Sequence, residues 1–357
     1  MTSRERVNRT LARQEADRIP RADSFWPETI PGWHAQGLNP TVDVGEMFEF
    51  DIVCAGWPNT SARIGYLETI SEDELTITRK DGHGAILRYW KQKSGTPEHI
   101  GFTVNDRASW ELYKAEMLAV PLHDRVDPEL VLDVQARARS QGKWFGWHGL
   151  EVFEGAKESV GHERLCTAMA DDPDWAKDVY DTYAELTVRL LDFLEAGGAV
   201  YDGAWVYGDI AYNHGPFMSP RMYRQMVLPG KKRIIGWFKD RGLPVIFHTD
   251  GDFRPLIPGF LETGMDCFQP LEAKANIDVR ELKPLWGDKV AFMGNIDATV
   301  LITNDFERIE AEVTSKVLTA REGGGYIYHS DHSIPPEVNW ETYRFLMGLI
   351  DRLGRFN

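Results

Sequence analysis

Residues 247–252 read Phe-His-Thr-Asp-Gly-Asp, and this is where the chain first offers chemistry. His248 and Asp250 end a short apolar run at 244–247. In a strand, residues two apart project to the same side, so imidazole and carboxylate converge. Gly251 breaks the strand, and 254–264 predicts a helix. Such a pair can move protons, orient a substrate or supply half of a metal site.

The pattern repeats. An apolar run at 266–269 ends in Pro270-Leu271-Glu272, one at 289–293 in Gly294-Asn295-Ile296-Asp297, and one at 325–328 in His329-Ser330-Asp331-His332. Another, at 199–207, ends in Tyr207-Gly208-Asp209. Helical spacing fills the intervals 219–239, 279–286, 306–321 and 340–353. Parallel βα units place all their strand C-termini on one face, so these polar groups are expected at a shared mouth. Expected strands near residues 19, 50, 143, 199, 244, 266, 289 and 325 complete an α/β architecture, a (β/α)8 TIM barrel in one domain over 1–357. Segment 69–100 does not follow the βα rhythm. Runs at 75–78 and 85–89 flank Asp81-Gly82, which predicts an inserted N-terminal β-hairpin.

The mouth admits several chemistries. His248, Asp250, Glu272 and one of His329, Asp331 or His332 would make a nitrogen–oxygen ligand set for a divalent metal such as zinc, or would bind substrate by hydrogen bonds alone. Asp209 reads as a general base or orienting carboxylate, or else as a loop cap, with Asp331 and His329 as further candidates for proton work. Asn295 and Asp297 are candidate substrate contacts, although Asp297 is equally placed to cap a turn at 298–302. Trp26, Trp147 and Tyr207 are candidates for an aromatic lining, against the plainer reading that most of the 12 Trp pack the core.

Composition narrows the field. With 55 acidic against 40 basic residues the net charge is −15, which disfavours nucleic acid as a partner. No apolar run is long enough to cross a membrane. Cys54, Cys166 and Cys267 are scattered, which argues against a thiolate zinc site and fits a reducing cytoplasm.

Phe247-His248-Thr249-Asp250-Gly251, Gln269-Pro270-Leu271-Glu272, Gly294-Asn295-Ile296-Asp297, Gly323-Gly324-Gly325-Tyr326-Ile327 and Phe217-Met218-Ser219-Pro220 resemble motifs of the uroporphyrinogen decarboxylase superfamily, most clearly over 140–350. The resemblance implies a (β/α)8 barrel and one of two activities. One is cofactor-free decarboxylation of uroporphyrinogen. The other is zinc-dependent methyl transfer involving a corrinoid protein. The decarboxylases carry an arginine-rich N-terminal segment, whereas the corresponding stretch here, Phe25-Trp26-Pro27-Glu28-Thr29-Ile30, has no arginine. The methyltransferases use His-x-Cys, Glu and Cys; here His248 and Glu272 match, Asp250 replaces the first Cys and His332 falls at the second. The implied ligand set is therefore His248, Asp250, Glu272 and His332. Without thiolates such a metal is a stronger Lewis acid, suited to an oxygen ligand. The expectation is a homodimeric, metal-dependent methyltransferase acting on a small oxygen-bearing, methoxylated aromatic substrate with a corrinoid protein as partner. The alternatives are a decarboxylase or lyase of a small acid and a non-catalytic tetrapyrrole or corrinoid binder.

Overall fold

The computed structural model describes residues 1–92 and 95–356; Lys93 and Ser94, within the expected 69–100 insertion, and Asn357 lie outside the described residues. Seven parallel strands form one curled sheet in chain order: Ile52–Gly56, Trp144–Leu150, Gly203–Tyr207, Val245–His248, Cys267–Gln269, Ala291–Met293 and Tyr326–Ile327. The strands are short, and side chains alternate between two environments. Trp205, Ile246, Cys267, Met293 and Ile327 pack inside the curl. Val206, Phe247, Phe268 and Phe292 pack outward against the helices.

The first expected strand, near residue 19, takes a different form. Residues 20–22 make backbone bonds to both edges of the sheet without becoming a regular strand. Ala22 donates to the Tyr328 carbonyl at 3.0 Å, Tyr328 donates to Pro20 at 2.9 Å, and Asp51 donates to Arg21 at 2.8 Å. The Asp51 carboxylate, fully buried, fixes this seam by accepting from Arg6 at 2.6 Å, Arg18 at 2.7 Å and the Arg21 amide at 2.8 Å. The strand expected near residue 50 starts at Ile52, because Asp43 caps a helical turn, Val44–Met47, that runs up to Phe48. Below the sheet the Ser3–Leu11 helix places Val7 and Leu11 against the interior strands. Gly146 and Gly203 leave room there for the Trp144 indole, which a Cβ at either position would meet at 2.4 and 2.5 Å.

The helices begin and end where local chemistry dictates. Pro173–Ala196 is entered through Asp172, whose carboxylate accepts from the Trp175 amide, with proline in its first turn and Gly197 at its end. The expected helix at 219–239 forms as Pro220–Met222, a π-turn at Tyr223–Val227 and Leu228–Lys239. The expected helix at 254–264 is only two short turns, Arg254–Leu256 and Ile257–Leu261.

The segment expected to be a hairpin is larger than one. Leu67–Glu72, Thr76–Asp81, Ala85–Trp90 and Glu98–Phe102 form a separate four-stranded antiparallel sheet. Its central turn is built by Asp81, whose Oδ1 accepts from the amides of His83 and Ala85 at 2.9 and 3.0 Å. Among the described residues no helix is long and apolar enough to cross a membrane.

Candidate active site

The strand ends bring Asp209, His248 and Asp250 together, with one ligand-capable atom from each within 4.8 Å of the others. His248 Nε2 lies 3.4 Å from Asp209 Oδ1 and 3.9 Å from Asp250 Oδ1. The Asp250 amide donates to Asp209 Oδ1 at 3.1 Å, which ties the two strand ends to each other.

The orientation of His248 is set by a residue in the same register on the next strand. Gln269 Oε1 lies 2.7 Å from His248 Nδ1 and accepts from Trp205 Nε1 at 3.0 Å. Indole N–H can only donate, so this oxygen is an acceptor, and His248 Nδ1 must carry the hydrogen. Nε2 is thereby left to face the carboxylates. Fixing one imidazole nitrogen so that the other serves a site is a recurrent feature of metal-binding and proton-transfer histidines. Burial favours the neutral ring, but Asp209, Asp250 and Gln269 together outweigh it and hold the His248 pKa up at about 9. Asp209 is pulled the other way: burial opposes ionisation, yet the His248 bond and charge hold its carboxyl well below the usual range. Asp250 is raised, chiefly by burial, with Asp209 and Glu272 adding repulsion.

His248 and Asp250 border a cavity of 360 Å³ lined also by Trp205, Tyr207, His329 and His332, among others. Tyr207 stacks on Trp205 at 5.6 Å between centroids and tilts over His248 at 4.7 Å. Trp26 stacks on His332 at 6.0 Å. His329 is 2% exposed and bonded through Nδ1 to the Ser330 carbonyl at 2.6 Å. No lysine or arginine is among the lining residues.

Other candidates sit elsewhere or are already engaged. Glu272 does not join the three-residue cluster, because its Oε2 accepts from the Gly251 amide at 2.8 Å. His332 reaches the cavity wall but also stays outside the cluster. Asp331 is fully buried, with its two oxygens accepting from the Ala298 and Ala273 amides at 2.8 and 3.0 Å. It braces two loops, and burial pushes its pKa up to about 6. Asn295 is buried and satisfies backbone groups only: it accepts from Val279 and donates to Leu271 and Ile277. Asp297 caps the turn Ala298–Leu301 through Thr299. Trp147 is wholly buried on the outer side of the sheet against Phe238, away from the cavity.

Two residues of the site were not anticipated. Gln269 was hidden in an apolar run, although its place opposite His248 in the register was the available signal. Glu154, on the helix Val152–Val160, accepts from the Asp209 amide at 3.1 Å and pairs with Lys157 at 2.5 Å. Burial pushes its pKa up to about 7 despite that lysine. No spacing in the sequence links it to Asp209.

A family model described as uroporphyrinogen decarboxylase (URO-D) matches residues 151–353, and the chain belongs to that family. It is 28% identical over 183 residues to uroporphyrinogen decarboxylase of Hydrogenovibrio crunogenus, covering 50% of this chain and 48% of that protein. It is 30% identical over 204 residues to the enzyme of the same name from Pelobacter propionicus, covering 57% and 55%. The chain thus spans about half the length of the curated relatives it matches. A methyltransferase from Methanosarcina mazei shares the fold over 99% of both chains, with a TM-score of 0.70 and 15% identity.

Proposed function

We propose that this protein is a metal-dependent, methyltransferase-like enzyme of the family. It acts on a small oxygen-bearing aromatic substrate, with a corrinoid protein as methyl partner. The observation that carries this reading is the convergence of His248 Nε2 with the Asp209 and Asp250 carboxylates, with His248 Nδ1 committed to Gln269. Asp250 Oδ1 is buried without a hydrogen-bond partner, which suits a cation between the three side chains. The donor set is one nitrogen and two carboxylates, acceptable to zinc and also to iron or manganese. When bound there, a divalent ion supplies Lewis acidity to a substrate oxygen.

The chain's own residues do the rest. Gln269 holds the His248 ring. Glu154 and the Asp250 amide position Asp209, which stays ionised beside His248 and can orient the reacting oxygen. Trp205 and Tyr207 offer flat apolar surface to a ring. A porphyrinogen bearing many carboxylates would meet no lysine or arginine in the cavity lining.

The test is elemental analysis of protein purified without chelator and resupplied with metals, followed by a demethylation assay with methoxylated aromatics and a corrinoid acceptor. About one equivalent of divalent metal and corrinoid-dependent release of a phenol are expected. Protein that retains no metal would refute the metal site. A second reading, a lyase of a small carboxylic acid, draws on the names of the curated relatives; metal-independent CO2 release would favour it.

A further inference from the structure

The strand end after Tyr326–Ile327 presents a polar atom for which the protein itself has no use. His329 lines the cavity, and its side chain is 3% exposed. Its Nδ1 faces the Ser330 carbonyl at 2.6 Å, and a carbonyl only accepts, so Nδ1 carries the hydrogen. Nε2 is then a bare lone pair, buried and without any hydrogen-bond partner. The arrangement is built from below. Asp23 has a fully buried side chain that accepts from Ser330 Oγ at 2.5 Å, Tyr328 at 2.8 Å and Tyr343 at 3.1 Å, so it fixes the loop whose carbonyl orients the ring. Burial holds the ring neutral, which keeps the lone pair available. Trp205 meets the same imidazole edge-on at 5.7 Å and stacks on Tyr207. A buried acceptor next to an aromatic wall is a receptor for a ring that carries a hydrogen-bond donor.

We propose that the cavity takes a hydroxylated aromatic ring, lying against Trp205 and Tyr207, with its O–H donating to His329 Nε2. This names the substrate class for the methyltransferase-like reading and rests on it: the substrate or product carries a free phenolic hydroxyl on the His329 side, opposite in role to the oxygen handled by Asp209, His248 and Asp250. A carboxylate would find no lysine or arginine on the wall. An ether oxygen would only set acceptor against acceptor.

The test is a calorimetric titration of the full chain with phenol, catechol, anisole, benzylamine and benzoate. It reads binding alone, so it stands or falls apart from metal content and methyl transfer. Phenol and catechol should bind at least about tenfold more tightly than anisole, the loss expected when a buried acceptor is left without its donor. His329→Leu should bring phenol and anisole to within about twofold of each other, whereas His329→Gln, which keeps an acceptor, should restore part of the preference. Equal binding of phenol and anisole by the wild type would overturn the proposal without reference to any variant. So would tighter binding of benzylamine or benzoate than of phenol, or an undiminished phenol preference in His329→Leu.

Discussion

Two histidines in this molecule each stand between two carboxylates, and they do opposite things. His83, on the turn of the antiparallel sheet, has Asp81 Oδ2 3.7 Å from Nδ1 and Glu158 Oε2 3.1 Å from Nε2. Its carboxylate partners lie on opposite edges of the ring, one at each nitrogen, with the Thr60 hydroxyl also 3.4 Å from Nε2. His248 has both carboxylates at Nε2 and an amide oxygen at Nδ1. Both rings are raised to about 9, each against its own burial, by the negative charge around them. Composition and charge therefore do not separate them; direction does. Divergent partners make a clasp between the sheet and the helix Val152–Val160. Convergent partners leave a space where one imidazole nitrogen and two carboxylates meet, and only this arrangement can receive an ion or a reacting atom.

The largest effect that this contrast predicts is at Asp209. Asp209→Asn removes one convergent charge while preserving shape, so turnover should fall by about 10²–10⁴-fold. Metal retained after dialysis should fall with it, and the melting temperature should move little. Normal activity in that variant would place Asp209 among the caps. Gln269→Leu comes next. Losing the oxygen that fixes His248 should weaken metal affinity by about 10–100-fold, read by competition with a chelator, while unsettling Trp205 as well.

At the clasp the expectation reverses. His83→Gln should leave turnover within about threefold and cost about 1 kcal/mol of stability, the scale of a partly exposed ion pair, measured by urea unfolding. Its pH dependence has a definite sign. The folded pKa of about 9 lies above the ordinary value of 6.5, so the stabilisation is complete below 6.5 and disappears as pH rises through 9. Wild type and His83→Gln should therefore differ in unfolding free energy at pH 6 and converge by about pH 10. A gap that widens with pH would sink the clasp. The smallest effect is at Asp297, within the mouth but facing backbone: Asp297→Ala should cost about 1 kcal/mol as a lost cap and spare the reaction.

The same distinction explains what could be seen in the sequence. The strand ends at His248, Asp250 and Asp209 were legible because period-two spacing and a glycine, Gly251 after Asp250 and Gly208 before Asp209, mark where each apolar run stops. Glu272 shared that position along the chain, but Leu271 has φ +64 and the chain turns, delivering the carboxylate to the Gly251 amide. Asn295 and Asp331 sat at strand ends too, and nothing in their spacing revealed that backbone amides and carbonyls would use all their bonding capacity. The strand at 19–25 looked apolar enough, yet it closes the sheet through a few backbone bonds and the Asp51 hub, a long-range arrangement without a local signature. The hairpin was seen as two strands because its outer strands are exposed or nearly so, and alternation fails where neither face is buried.

The seam at residues 20–22 has a consequence in time. It joins Arg21 to Tyr328, about 300 residues apart in sequence. At a synthesis rate of about 5–20 residues per second, Arg21 leaves the ribosome roughly 15–60 s before its partner exists. Through that interval residues 20–22 can bond to Asp51 on one side but lack the neighbour they will have on the other side in the finished sheet. An unpaired edge of this kind invites pairing with other chains. The newborn protein is therefore most exposed to misassembly late in translation, and the step that ends the exposure is the arrival of its last strand.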